Sequence, residues 1–145
     1  MSIQNFRYTE SSQYPGMAGM PLVPITLTHT QSRLEQLALV DSGSTINVLP
    51  YELGLALGLD WESQTVPLDT MGILAGAPAF GVALTGQIHG LAPVTLIFAW
   101  TRKEPVRLIL GQTNFFQEFD VLLSGSQKMF SVMPKGLLKK ILSAA

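Results

Sequence analysis

Leu37-Ala38-Leu39-Val40-Asp41-Ser42-Gly43-Ser44-Thr45 is an apolar strand that runs directly into a carboxylate, hydroxyls and a glycine. An acid placed straight after four aliphatic residues sits where desolvation is costly, so it is either paired or held for chemistry. The tripeptide alone is weak evidence, because average composition yields an Asp-[Ser/Thr]-Gly in about one chain in ten to twenty of this length. Its surroundings carry more. A second apolar run ending in glycine, Leu108-Ile109-Leu110-Gly111, lies well downstream, and Asp-Ser-Gly occurs only once.

Composition narrows the function classes. A chain of 145 residues suits one domain with a sizeable core. A formal net charge of -1 offers no clustered basic excess, which excludes nucleic acid as an expected partner. With 47% hydrophobic and 13% charged residues the chain is apolar for a soluble domain, so part of its surface is expected to be covered in a dimer. The lack of cysteine excludes disulfides and thiolate metal sites. His29 and His89 are isolated and have no zinc-ligand spacing. Residues 1–20 lack the basic start and apolar core of a signal peptide, and no apolar run approaches the ~20 residues of a membrane span. A soluble, cytoplasmic protein is the expectation.

Along the chain, residues 1–21 are rich in breakers and read as an arm, with a short strand near Ile3 to Tyr8. Val23, Ile25 and Leu27 alternate with Pro24, Thr26 and Thr28, the period of a half-buried strand, and Leu34 to Val40 returns beside it. After the turn at Asp41, Ile46 to Leu49 is β-like and Pro50 opens a helix to about Leu57, weakened by Gly54. Gly72 and Gly76 bracket apolar residues in a hairpin suited to presenting Met71, Ile73 and Leu74 to a ligand. Strands are predicted over Phe80 to His89, Leu91 to Trp100 and Val106 to Leu110. A short helix over Gln112 to Phe119 buries three phenylalanines, and a hairpin from Val121 to Met133 follows. Leu137, Leu138, Ile141 and Leu142 lie opposite Lys139 and Lys140, which predicts an amphipathic C-terminal helix.

The order strand, Asp-Ser-Gly, glycine-bracketed hairpin, apolar-apolar-Gly and helix resembles the retropepsin-like aspartic protease family in its single-domain, bacterial-type form. The resemblance spans Leu22 to Met133. It implies a mainly β fold, a closed barrel of the acid-protease half type, with a short helix after Leu110-Gly111 and a C-terminal helix. The implied organisation is an arm (1–21), a retropepsin-like domain (22–134) and a C-terminal helix (135–145). Peptide hydrolysis in this family needs two carboxylates sharing a proton, one acting as base on a water while the other polarises the scissile carbonyl. One motif per chain supplies half of that pair, so the resemblance implies a homodimer with Asp41 from each copy as the catalytic group and a peptide or protein as substrate. No cofactor or metal is implied.

The resemblance also assigns supporting roles. Ser42 takes the place of the hydroxyl that bonds across the dimer, Gly43 lets a backbone amide approach the carboxylate, and Ser44 is expected to donate to the outer oxygen of Asp41. Met71, Gly72, Ile73 and Leu74 form the flap, and Val106 and Ile109 line apolar subsites. Two positions depart from the retroviral pattern, where Asp stands in place of Thr45 and Arg in place of Gln112, forming an ion pair near the dimer interface. An interface lacking that pair must be held differently. Two other readings remain at this level: a peptide-binding or assembly module without turnover, and an unrelated β-barrel with an incidental Asp-Ser-Gly turn.

Overall fold

A computed structural model describes residues 2–10, 19–69 and 76–144. The first half of the chain supplies β1 (Gln4–Arg7), β2 (Leu22–His29), β3 (Ser32–Val40), β4 (Asn47–Pro50), α1 (Tyr51–Ala56) and β5 (Pro67–Leu68). The second half supplies β6 (Ala79–Gln87), β7 (Val94–Thr101), β8 (Ile109–Leu110), α2 (Phe115–Glu118), β9 (Phe119–Ser124), β10 (Met129–Pro134) and α3 (Leu137–Ser143).

The period-two alternation of β2 becomes a hairpin with β3, paired antiparallel from Leu22↔Leu39 to His29↔Ser32. β3 then runs parallel to β8, Leu39 opposite Ile109 and Val40 opposite Leu110. β8 meets β4 at Val48↔Ile109, β4 runs parallel to β7, and β7 pairs antiparallel with β6. Three residues of β6 return to β2, at Thr26↔Gln87 through Thr28↔Thr85. The order β2-β3-β8-β4-β7-β6 thus closes on itself as a six-stranded barrel.

Val23, Ile25 and Leu27 from β2 point into the barrel against Leu84, Leu96, Phe98 and Trp100. Each large side chain fully buried there contributes about 1.5–3 kcal/mol. A separate three-stranded sheet, β1-β10-β9, packs its inner face on the same core. The segment expected to be an arm supplies β1 of that sheet, with Phe6 stacked on Phe130 at 5.2 Å. α3 docks on the sheet through buried Leu137 and a bond from the Leu138 amide to Asp120 Oδ2, 2.9 Å. Among the described residues no helix is long and apolar enough to cross a membrane.

Two elements differ from the sequence expectation. The helix predicted over Gln112 to Phe119 is one turn, Phe115–Glu118. The chain at its start is extended, with the amides of Gln112 and Thr113 bonded to the carbonyls of Ser44 and Thr45, and Phe119 already pairs with Pro134. The strand predicted from Val106 is paired only over Ile109–Leu110. Gly54 reads in the sequence as a weak point of α1, and its tertiary reason lies in β7, the strand paired with β4. A Cβ there would lie 2.1 Å from Trp100 Nε1, and that indole donates to the Tyr51 carbonyl at 3.1 Å.

Gly54→Ala is therefore expected to destabilise the protein. Helix propensity favours alanine by up to about 1 kcal/mol, whereas overpacking a filled contact costs about 1–3 kcal/mol, occasionally more. A lower urea midpoint at unchanged m is the expected result.

Candidate active site

Asp41 follows the last residue of β3, where its backbone amide still donates to the Leu110 carbonyl at 3.0 Å. Extended pairing stops there because Ser42 and Gly43 turn. The Asp41 carbonyl accepts from the Ser44 amide at 3.1 Å, and Asp41 Oδ1 accepts from the Gly43 amide at 2.9 Å. A side chain at 43 would bring its Cβ to 3.2 Å from the same carboxylate oxygen, so glycine keeps that approach open. The carboxylate is half-buried, with Ser42 and Gly43 exposed beside it.

The segment 111–113 passes under this turn and is laced to it. Gln112 gives its amide to the Ser44 carbonyl at 2.9 Å and its side-chain Nε2 to the Ser42 carbonyl at 2.8 Å. Gln112, which stands where retroviral enzymes carry arginine, thus ties down its own chain's turn. Gly111 approaches so closely that a Cβ would lie 2.4 Å from the Ile46 carbonyl oxygen and 2.7 Å from that of Ser44.

Asn47, fully buried at 0% exposure, joins three segments. Its Oδ1 accepts from the Gly111 amide at 2.7 Å. Its Nδ2 donates to the Ile97 carbonyl at 2.9 Å and to Asn114 Oδ1 at 3.2 Å. Asn114 continues the network, accepting from the Ile97 amide at 3.0 Å and donating to the Thr95 carbonyl at 2.9 Å. The sequence reading passed over both asparagines. The available signal was a polar residue inside the apolar run Ile46 to Leu49, a position that demands a buried partner.

Ser44 does not make the contact expected of it. Its hydroxyl donates to the Ile46 carbonyl at 2.7 Å, two residues on, and so braces the turn instead of the carboxylate. Val106 borders a cleft of about 460 Å3 that Leu37, Leu39, Leu53 and Leu108 also line. Asp41 is not among the lining residues of that cleft. Ile109 is buried in a small second cluster with Val48, Ala79 and Ala99, against which Leu39, Ile46, Leu68 and Val106 pack. Met71, Gly72, Ile73 and Leu74 lie outside the described residues; the antiparallel rungs Pro67↔Phe80 and Leu68↔Ala79 lead into and out of their segment.

Compared by sequence, the chain matches no family model and no curated protein. Compared by structure, it is similar to the crystal structure of a retropepsin-like aspartic protease from Rickettsia conorii. The match has a TM-score of 0.64 at 12% identity and covers 90% of this chain and 91% of that one. The chain has the retropepsin-like fold. Within that fold, the Asp41 turn and the Leu110-Gly111 segment are the two pieces that the Asn47 and Gln112 networks bind into one unit.

Asn47→Ala removes three hydrogen bonds and strands the buried Gly111 amide. The expected loss is roughly 2–4 kcal/mol by urea denaturation, at about 1 kcal/mol per bond plus the unpaired group. Faster hydrogen exchange at the Gly111 amide would locate the effect at this crossing. An unchanged midpoint and unchanged exchange would show that the bridge is dispensable.

Proposed function

We propose that this chain is an aspartic-type endopeptidase active as a homodimer. Each copy supplies one Asp41; the two carboxylates share a proton, one drawing a proton from the attacking water while the other donates a hydrogen bond to the scissile carbonyl oxygen. The observation that carries this reading is the half-buried Asp41 on its glycine turn, Oδ1 fixed by the Gly43 amide at 2.9 Å. A held carboxylate needs no reorientation as the water attacks the carbonyl, which is the advantage of a preorganised site.

In this reading Ser42 bonds across the dimer, and Gly43 and Ser44 shape the turn, Ser44 through the Ile46 carbonyl. Met71, Gly72, Ile73 and Leu74 cover an extended peptide, and Val106 and Ile109 belong to the apolar wall beneath it. The substrate class is peptide or protein with apolar residues flanking the cut, and the protein acts in the cytoplasm. The similar Rickettsia conorii structure, a retropepsin-like aspartic protease, supports the assignment at the level of fold.

Cleavage of a denatured protein mixture across pH, with and without a statine-type transition-state analogue, tests this reading. Turnover is expected at acidic to mildly acidic pH, and the analogue should suppress it. Asp41→Asn should lower the rate by roughly a hundredfold to ten-thousandfold, since an amide cannot act as the base. Full activity in that variant would overturn the assignment.

A further inference from the structure

Arg102 follows the last residue of β7 and, among the described residues, is the one cation that lies over aromatic rings. Its Cζ is 4.7 Å from the centre of the Tyr51 ring and 4.8 Å from that of Trp61. These two rings meet edge to face at 5.7 Å, so the guanidinium fills the corner between them. Its Nη2 also donates to the Tyr51 hydroxyl at 3.1 Å and lies 3.9 Å from Glu62 Oε1. The corner is itself fixed. Tyr51 stacks on buried Trp100 at 5.7 Å, and Trp61 meets Trp100 at 5.1 Å and Phe80 at 4.8 Å. A planar, always charged group suits such a site, because it can lie on ring faces and still donate a hydrogen bond at its edge.

We propose that Arg102 is a positioning residue for the substrate. It anchors the loop 102–108 to the corner of Tyr51 and Trp61 and thereby sets where Val106 stands. The substrate role rests on the peptidase reading, in which Val106 belongs to the apolar wall; the anchoring does not.

The argument turns on how little else holds this loop. At its near end the buried Thr101 hydroxyl accepts from the Lys103 amide at 3.0 Å and donates to the Pro78 carbonyl at 3.3 Å. At its far end the Leu108 carbonyl accepts from the Leu39 amide at 2.9 Å, and strand pairing resumes at Ile109. Between these ends, residues 104–107 make no hydrogen bond or ion pair among the described residues. They border a cavity of about 240 Å3 whose other lining residues include Pro50, Tyr51 and Glu52. Val106 lines both that cavity and the neighbouring cleft of about 460 Å3. A segment bonded only at its ends takes its position from them. Tyr51 is at once a face of the Arg102 clamp and a wall of the cavity, so the clamp fixes the separation between the loop and the start of α1.

Arg102→Ala and Arg102→Lys are compared with the wild-type protein on one peptide taken from the wild-type digest of a denatured protein mixture. Arg102→Ala should raise KM about five- to tenfold with kcat within about twofold, the split expected when binding is lost and the reacting groups are untouched. Arg102→Lys keeps the charge without the planar face, and its KM should fall between the two. The lack of cysteine permits a second, local readout. A nitroxide on Glu104→Cys, an exposed position, should give a narrower, more mobile spectrum when Arg102→Ala is added, with circular dichroism unchanged. Unaltered label mobility in Arg102→Ala would overturn the anchoring. Unaltered KM beside Asp41-dependent cleavage would overturn the positioning role and leave the peptidase standing, and so would a fall in kcat that tracks a lowered urea midpoint. A wild-type protein that cleaves nothing removes the peptidase reading and the substrate role with it, while the label still decides whether Arg102 holds the loop.

Discussion

The close passage of Gly111 beneath residues 44–46 is the constraint on which the rest of the structure depends. Two backbone carbonyls occupy the space where any side chain at 111 would begin. The same residue gives its amide to buried Asn47, which also reaches Ile97 and Asn114. One side chain thereby fastens the Leu110-Gly111 segment to the strand that follows the Asp41 turn and to β7. Such a network is stabilising only when complete, since each orphaned buried group costs about 1–3 kcal/mol. Among the described residues no buried side-chain polar atom lacks a partner.

Charge plays little part in this arrangement. The two ion pairs among the described residues, Arg102 with Glu62 at 3.9 Å and Lys135 with Glu118 at 3.7 Å, lie at the surface, where such pairs contribute about 0–1 kcal/mol each. Asp41 is set instead by neutral dipoles, the Gly43 amide on its oxygen and the Gln112 amides on the carbonyls of its turn. These are backbone-fixed or nearly so. Where the retroviral pattern places an ion pair, this chain has a glutamine bonding its own turn.

Local periodicity explains what could be read from the sequence. Val23, Ile25 and Leu27 against Pro24, Thr26 and Thr28 mark a half-buried strand whatever their partners, and the two apolar runs ending at Asp41 and Gly111 suit neighbouring strands. Features set by distant partners were hidden. Asn47 reads as an interruption of a short strand until Gly111, 64 positions away, is beside it. Gly54 reads only as a weak helix residue because its reason is the indole of Trp100. Phe115, Phe116 and Phe119 have helical spacing, yet pairing of Phe119 with Pro134 ends the helix after one turn. Ser44 is near enough in sequence to serve Asp41, but its hydroxyl donates its hydrogen bond to the Ile46 carbonyl two residues ahead. The expected flap residues, Met71 to Leu74, lie outside the described segment.

In the proposed dimer, where the site exists only between two copies, chemistry is linked to concentration. Below the dissociation constant of the pair, dimer concentration rises with the square of chain concentration, so specific activity should rise in proportion to chain concentration and level off above that constant. The fold does not require the pair for its own core, because the barrel closes within one chain and β1 already pairs with β10 in cis. Dilution should therefore remove activity before it removes structure. Specific activity and circular dichroism measured across a dilution series are expected to part company, activity falling while the β signal holds. Activity per chain that stays constant down to concentrations where sedimentation shows monomer would place both reacting groups within one copy, and the single Asp41 would then have to act without its twin.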